Sequence, residues 1–262
     1  MSYKQTTYVS KPVDEHGFVK YTEAEDAVWN TLITRQYDFV QGRACDEYIH
    51  GLELLDLPKD RVPQCPDVSK VLLETTGWQL EPVPALIPFD RFFQLLANKR
   101  FPAATFIRRP EDLNYITEPD IFHEIFGHCA LLTNKSYADF TYTYGKLGLS
   151  ARPEDRAMLA RLYWFTIEFG LIQSAAGLRA YGGGILSSIG ETTYSLESDI
   201  PVRKPFDALE VLRTPYRIDI MQTVYFVLDR FDTLYELTQM DLFGLIREAR
   251  RLGEYAPSYP TK

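Results

Sequence analysis

Cysteine, histidine and positive charge are all scarce in this chain of 262 residues. It has three cysteines, four histidines and a formal net charge of -8 at neutral pH. The cysteines, Cys45, Cys65 and Cys129, are too scattered for a Cys-x-x-Cys metal site, and their odd number suits a reducing compartment better than a disulfide framework. The negative charge offers no field that attracts phosphates, which argues against nucleic acid or an anionic membrane as a partner. We therefore expect a small-molecule partner.

Membrane segments and two common catalytic motifs are also missing. No apolar run is long enough to span a bilayer, and the first residues lack the apolar core of a signal peptide, so we expect a cytoplasmic protein. The glycines at 182–184 lack the Walker spacing and its Lys-Ser/Thr ending. Ser187 and Ser188 are not in a Gly-x-Ser-x-Gly elbow. A phosphate-binding loop and a serine hydrolase are both poorly supported.

Composition and periodicity predict one mainly helical domain with short β elements. Hydrophobic residues make up 45% of the chain and aromatic residues 14%, enough for a core that encloses a ligand. A capping-box pattern, Thr22 with Glu25, opens a long first helix. Further helices are predicted at Val68 to Leu73, Phe89 to Leu96, the histidine segment, Tyr137 to Leu147, a long stretch from Pro153 through Glu168, and Asp232 to Leu252; residues 78–88 and 103–108 are predicted as extended, and 222–227 as a strand or short helix. We expect a single domain over residues 1–262 with flexible termini at about 1–20 and 257–262.

Two of the four histidines lie five residues apart in the segment DIFHEIFGH, residues 120–128. At about 100° per residue, five steps leave His123 and His128 about 140° apart around a regular helix, flanking one face. Gly127 lies inside that arc and has no side chain to obstruct an ion, and Glu124 could act on the ion from outside the ligand shell. A one-residue bulge would bring the imidazoles closer. By itself, the pair is as compatible with helix packing as with a metal.

An isolated carboxylate, Glu168, follows in the apolar segment LYWFTIEFGLI, residues 162–172. Apolar residues stand at helical neighbour spacings on both sides, where an ionised carboxylate is costly without a partner. No lysine or arginine lies between Arg161 and Arg179, so a metal is the simplest partner. Two neutral nitrogens and one carboxylate cover one face of an octahedron, which suits non-haem iron(II) and dioxygen. Zinc with the same three ligands is the competing assignment.

Two other functions remain open at this point. With zinc, Glu124 would serve as the base of a hydrolase, although zinc proteases place their two histidines four residues apart. Alternatively, the chain is a helical binding protein in which these side chains are structural.

Three sequence blocks together carry a resemblance to a known family. They are TEPDIFHEIFGH at residues 117–128, LYWFTIEFG at 162–170 and YGGGILSSIGE at 181–191. In this order and at these spacings they resemble the pterin-dependent aromatic amino acid hydroxylases, and the resemblance runs from about residue 29 to the last helix. It implies a mainly helical catalytic domain with a basket-like cleft, in which His123, His128 and Glu168 bind iron(II). A tetrahydropterin, either tetrahydrobiopterin or a bacterial analogue, would supply electrons, dioxygen would be the co-substrate, and L-phenylalanine would become L-tyrosine.

The resemblance also implies roles for residues around the metal. Arg108 would bind the carboxylate of the amino acid, a task suited to its planar fork of donors, and Gly184 and Ser187 would assist. Pro119 and Trp164, together with His123, would surround the substrate ring. The residues implied at the pterin are Leu86, Ile87, Phe92, Glu124 and Tyr163. Phe92 would stack on the pterin, and Glu124 is the implied catalytic carboxylate.

Two positions bear on the choice of substrate within the family. Tryptophan hydroxylases tend to have phenylalanine where this chain has Trp164, and tyrosine hydroxylases carry aspartate at the position that matches Ile218. Both comparisons favour phenylalanine, with tryptophan or tyrosine as the alternatives. The chain shows neither the regulatory domain nor the tetramerisation segment of the long animal members, so we expect a monomer or a homodimer.

Overall fold

The computed structural model describes residues 8–84, 87–114, 116 and 118–259, and helices dominate it. The α-helices are α1 (Glu23–Phe39), α2 (Asp46–Leu55), α3 (Cys65–Thr75), α4 (Phe89–Leu96), α5 (Ala130–Leu132), α6 (Lys135–Ser150), α7 (Arg156–Tyr163), α8 (Gly183–Leu186), α9 (Ile189–Glu197), α10 (Ala208–Arg213), α11 (Asp232–Thr238) and α12 (Leu242–Leu252). Two π-helices, His123–Cys129 and Trp164–Glu168, precede α5 and follow α7. The strands are β1 (Gln79–Val83), β2 (Arg100–Ala104), β3 (Leu171–Ser174), β4 (Gly177–Ala180), β5 (Val202–Pro205) and β6 (Val224–Leu228). The predicted mainly helical class is confirmed.

Local signals predicted several elements correctly. At the start of α1, the Thr22 hydroxyl accepts a hydrogen bond from the Glu25 amide, and the Glu25 carboxylate accepts one from the Thr22 amide. This reciprocal pair satisfies two amide groups that a helix start leaves without intrahelical partners. Helix α4 has the predicted bounds, and the predicted element at 222–227 is a strand, β6.

The predicted helical stretch from Pro153 through Glu168 is present, but it does not continue beyond Glu168. The helical conformation stops at Phe169, and Leu171 begins a strand, so the expectation that Leu171 and Ile172 are helical neighbours of Glu168 is wrong. At Gly170, an added Cβ would lie 2.0 Å from the ring of Tyr181, so only glycine lets the chain turn this close to that ring.

The predicted last helix is also divided. Helix α11 ends at Thr238, and α12 begins after Asp241, whose carboxylate accepts a hydrogen bond from the Gly244 amide. This cap favours a new helix start over continuation of the previous helix.

Two small sheets help to position the site. Strands β1 and β2 form a parallel pair, and the second sheet has the order β4-β3-β6-β5. Strand β3 pairs with β4 in the antiparallel sense and with β6 in the parallel sense, with Leu171 opposite Val227. Strand β3 starts just after the second π-helix, and β6 starts just after the loop that ends at residue 223. The pairing of β3 with β6 therefore holds the second π-helix beside that loop.

A hydrophobic core extends from α1 to α12 and contains many large aromatic side chains. Trp29, Tyr48, Trp78, Tyr137 and Phe126 are fully buried. Burial of such side chains provides most of the driving force for folding. Within the described ranges, no helix combines the length and apolar character needed to cross a membrane.

Candidate active site

The first π-helix, His123–Cys129, brings the two predicted histidine ligands together. In a π-helix each amide bonds to the carbonyl five residues earlier, so that residues five apart lie nearly above one another. The Nε2 atoms of His123 and His128 are 3.1 Å apart. The suggested one-residue bulge is therefore present as a complete π-helical segment, and the 140° separation of a regular helix does not apply.

Glu168 ends the second π-helix and reaches the same point. Its Oε1 lies 3.3 Å from His128 Nε2, and its Oε2 lies 3.5 Å from His123 Nε2. The three donor atoms all lie within 4.8 Å of one another. Two helices from distant parts of the sequence thus converge on one cluster of potential metal ligands.

Ser187 fixes the orientation and the tautomer of His123. The Ser187 hydroxyl donates to the Gly183 carbonyl at 2.8 Å, so it can accept a hydrogen bond from His123 Nδ1, which is 2.9 Å away. A proton on Nδ1 leaves the lone pair of Nε2 directed at the cluster. Such an outer hydrogen bond commonly orients a metal-bound histidine.

Burial also sets the protonation of the cluster. It lowers the pKa of His123 to about 4, against an opposing effect of Glu168, so the imidazole is neutral near pH 7. For Glu168, burial acts to raise the pKa, but the neighbouring His128 and His123 outweigh it and the pKa is lowered. The cluster at neutral pH thus has neutral imidazole at His123 and carboxylate at Glu168, the forms in which these groups bind metals.

The spacing of the donor atoms fits a metal ion. Ligands about 2.1 Å from an ion and at right angles to each other are about 3 Å apart. The observed separations of 3.1 to 3.5 Å are close to this value. The donor set of two nitrogens and one carboxylate is the facial arrangement that suits iron(II).

A contact between two glycines holds helix α8 against the histidines. A Cβ on Gly127 would lie 2.8 Å from the Gly183 carbonyl oxygen, and a Cβ on Gly183 would lie 2.3 Å from the ring of His128. Gly127 was expected to leave space for an ion. That expectation is wrong, because the space is taken by the backbone of α8.

A cavity of about 500 Å³ opens beside the cluster. Its size is within the usual range for small-molecule sites. Every residue predicted at the substrate lines it: Arg108, Pro119, His123, Trp164, Gly184 and Ser187, together with Glu168. These residues come from four separate segments, and the fold brings them to one place.

Arg108 is buried and already paired within the protein. Its Nε and Nη2 donate to the two carboxylate oxygens of Asp120, each at 2.8 Å, and Asp120 also accepts from the His123 amide at 3.0 Å. The guanidinium keeps the pKa of Asp120 below its usual value despite burial. Nη1 of Arg108 makes no hydrogen bond to another described residue, and the side chain lines the cavity. Asp120 thus orients both Arg108 and the backbone of the first histidine.

The described residues predicted at the pterin, which are Ile87, Phe92, Glu124 and Tyr163, do not line this cavity. Phe92 and Tyr163 are in edge-to-face contact, with ring centroids 5.4 Å apart. Burial, with a contribution from Glu168 and Asp120, raises the pKa of Glu124 well above its usual value. Ile87 is half-buried just before α4, and Leu86 lies outside the described residues.

Two features of the cavity were not predicted from the sequence. Asp120 stood in the histidine segment, but nothing local indicated that it would pair with Arg108. The loop of residues 216–222 forms part of the cavity wall, and Glu191 lies beside it. The family resemblance pointed to one residue of this loop, Ile218, but the loop has no periodic pattern or turn motif that would predict its place in the wall.

Comparison with known proteins bears on the identity of this arrangement. The family model described as biopterin-dependent aromatic amino acid hydroxylase matches residues 2–244. The chain belongs to this family. A relative from Pseudomonas aeruginosa named phenylalanine-4-hydroxylase is 58% identical, with 99% of this chain and 98% of the relative covered.

Solved structures of family members have the same fold. The apo structure of the cold active phenylalanine hydroxylase from Colwellia psychrerythraea 34H matches with a TM-score of 0.94 and 55% identity, over 96% of this chain and 97% of that one. The Chromobacterium violaceum phenylalanine hydroxylase with bound oxidized Fe(III) matches with a TM-score of 0.88 and 42% identity, over 94% of each chain. As a family member, the hydroxylase described here depends on a tetrahydropterin, iron(II) and dioxygen.

Proposed function

We propose that this hydroxylase is a phenylalanine 4-monooxygenase, which converts L-phenylalanine to L-tyrosine, and that His123, His128 and Glu168 hold its iron. The observation that carries the proposal is the cluster of three ligand side chains, two of which, His123 and Glu168, lie in the wall of a cavity that Arg108 and the Trp164 indole also line. The names of the Pseudomonas and Colwellia proteins support phenylalanine as the substrate.

The substrate would be oriented by the two ends of the cavity. Nη1 of Arg108 would bind its carboxylate, with Ser187 and Gly184 beside it, and the pairing with Asp120 keeps the guanidinium in place. Pro119 and Trp164 would contact the ring. Closure of the aromatic wall around the ring excludes water from the reacting carbon.

The metal and the pterin supply the activation of dioxygen when they are bound. The chain's own residues prepare the site. Ser187 holds His123 in the tautomer that offers Nε2, and Phe92 and Tyr163 offer an aromatic surface for the pterin. Glu124 would lie at that cofactor. The two histidines are five residues apart on a π-helix, whereas zinc proteases place theirs four apart, so the zinc hydrolase with Glu124 as its base is disfavoured.

A direct assay tests the proposal. Purified protein with added iron(II), a reduced tetrahydropterin, phenylalanine and dioxygen should form tyrosine, and omission of the pterin should abolish the product. Tryptophan and tyrosine as substrates should react much more slowly. Absence of tyrosine from iron-replete protein would contradict the function, and faster turnover of tryptophan would change the substrate.

Three broader expectations from the sequence also stay proposals. They are a cytoplasmic location, a monomer or homodimer, and action as one catalytic domain. Cell fractionation, light scattering on the purified protein and limited proteolysis test them in that order.

A further inference from the structure

Gln222 lies in the wall of the cavity just before β6, and only 4% of the residue is exposed. Its side-chain Oε1 accepts a hydrogen bond from Nε1 of Trp164 at 2.9 Å. Its Nε2 donates to the carbonyl oxygens of Arg217 at 2.9 Å and Ile220 at 3.1 Å. Both polar atoms of the side chain are therefore used.

The partners of Gln222 permit one orientation of its amide. An indole nitrogen can only donate and a backbone carbonyl can only accept. A flipped amide would direct Nε2 at the indole N–H and Oε1 at two carbonyl oxygens, which loses all three bonds. The side chain thus links Trp164 to the loop of residues 216–222 in a defined geometry.

The backbone of Gln222 also lies beside regular structure. Its amide is close enough to the buried carboxylate of Glu191 to lower the pKa of that group, and the carboxylate accepts a hydrogen bond from the hydroxyl of Tyr225 at 2.7 Å. Helix α9 carries Glu191 and strand β6 carries Tyr225. The C-terminal end of the loop therefore lies beside two elements of regular structure.

Both ends of the loop contact the same indole. Tyr216 at one end stacks on Trp164, with ring centroids 4.6 Å apart and planes 18° apart, while Gln222 at the other end binds its nitrogen. Ile218 and Ile220, between these ends, line the cavity. Displacement of Gln222 would therefore move both the indole and the apolar residues that face the ligand.

We propose that Gln222 is a positioning residue, which holds the Trp164 indole and the loop of residues 216–222 in the arrangement that the substrate ring requires. The inference rests on the proposed function, because it assigns the substrate ring to this aromatic wall. A displaced indole leaves the ring loosely held. Weaker phenylalanine binding and less tyrosine per pterin consumed are the expected consequences.

Gln222→Met tests the contact with little change in side-chain volume. The matched control is Gln64→Met, since Gln64 is half-buried, makes two side-chain hydrogen bonds to the backbone of Val19 and does not line the cavity. Trp29 and Trp78 are fully buried elsewhere, so the emission of Trp164 is obtained by subtracting the spectrum of a Trp164→Phe variant in the same background. The Trp164 emission should shift in Gln222→Met and stay unchanged in Gln64→Met. An unchanged spectrum in both would overturn the inference.

Kinetics separate positioning from general destabilisation. Gln222→Met should raise the KM for phenylalanine about tenfold, as expected for the loss of buried hydrogen bonds, and lower the ratio of tyrosine to pterin consumed. Its kcat should change by less than about threefold, and its iron content should stay that of the wild type. The control should match the wild type in KM and in this ratio. An unchanged KM and ratio in folded Gln222→Met would refute the role.

A double-mutant cycle tests whether Gln222 acts through Trp164. The change in KM caused by Gln222→Met should be smaller in the Trp164→Phe background than in the wild type, because the residues are in contact. Full additivity would contradict the inference.

If Gln222→Met does not fold, Gln222→Glu provides a second test. It keeps an oxygen for the indole but loses both N–H groups that donate to the loop, and it should still raise KM; an unchanged KM would overturn the role. Wild-type protein that forms no tyrosine would refute the proposed function instead, whereas the emission comparison tests the Gln222 contact independently.

Discussion

The two walls of the cavity are held in place by different kinds of interaction. The ligand wall, defined by the π-helices 123–129 and 164–168 together with α8, is built from backbone hydrogen bonds and glycine contacts. The loop wall, residues 216–222, has no regular secondary structure. It depends on side chains: Gln222 accepts a hydrogen bond from Trp164, 58 positions earlier, and Tyr216 stacks on the same indole. Changes in the ligand wall should therefore affect the metal, whereas changes in the loop wall should affect the amino acid and leave the metal bound.

The largest expected effect is that of Glu168→Ala. It removes the one carboxylate of the cluster, and since loss of outer partners of a metal ligand already costs 10- to 100-fold, loss of the ligand should cost more than about a hundredfold in activity. Iron content measured by elemental analysis should fall together with tyrosine formation. The exposed Glu74→Ala serves as the control and should retain both. Wild-type iron content and activity in Glu168→Ala would show that the proposed ligand set is wrong.

Gly183→Ala should weaken the metal site without removing any ligand. The new methyl group would lie 2.3 Å from the His128 ring, so either the ring or α8 must move. We expect iron affinity to fall by about 10- to 100-fold, as for other changes that misorient a ligand. Gly190→Ala, where a methyl group meets no atom closer than 3.6 Å, should keep iron affinity. Equal iron affinity in the two variants would mean that the glycine contact does not position His128.

Arg108→Lys should affect substrate binding more than the metal. A lysine keeps the charge but cannot make the paired hydrogen bonds that Asp120 accepts, and it loses the planar fork offered to a carboxylate. The KM for phenylalanine should rise by about tenfold or more, because charged hydrogen bonds are worth roughly 1.5 to 3 kcal/mol. Iron titration of the same preparation should give an iron affinity like that of the wild type. A KM like that of the wild type would remove Arg108 from the substrate site.

The difference between the walls also explains what could be predicted from the sequence. The start of α1 depends on residues three apart, so its capping box was visible in the sequence. His123, His128 and Glu168 were visible because polar groups in apolar segments need a partner, and the family blocks named the same residues. The full π-helix was suggested only as a bulge, since a π-helix is stabilised by tertiary contacts such as that between Gly127 and Gly183.

The conformation of the loop wall could not be predicted from local patterns, although the family resemblance pointed to Ile218 within it. Its conformation is set by hydrogen bonds and stacking between residues that are distant in sequence, such as Gln222 with Trp164. Arg108 and Asp120 are 12 residues apart. Arg108 follows β2, whereas Asp120 precedes the first π-helix. Local patterns do not contain this information.

The contribution of Glu191, which lies beside the loop wall, to the stability of the protein should depend on pH. Burial raises the pKa of Glu191, the carboxylate beside the Gln222 amide. A carboxyl group with a raised pKa in the folded state contributes most to stability below its unfolded pKa, and this contribution is lost as pH rises through the folded pKa. The glutamine of Glu191→Gln does not titrate. The variant should therefore become more stable relative to the wild type as the pH rises from 5 to 8, because only the wild type loses this contribution. Urea unfolding at the two pH values measures this change, and a constant difference would contradict it.

The smallest effect on stability should come from Ile218→Asp in the loop wall. Ile218 is 63% exposed, so the free energy of unfolding should change by less than about 0.5 kcal/mol, as for other surface positions. The side chain nevertheless lines the cavity, where a carboxylate would face an apolar ring and repel the carboxylate of the amino acid. The KM for phenylalanine should therefore rise several-fold, by about 1 kcal/mol in binding, while iron content stays that of the wild type. Steady-state kinetics with urea unfolding and metal analysis on one preparation measure all three. A loss of iron in this variant would mean that the two walls are coupled, because a change confined to the loop would then have reached the ligands.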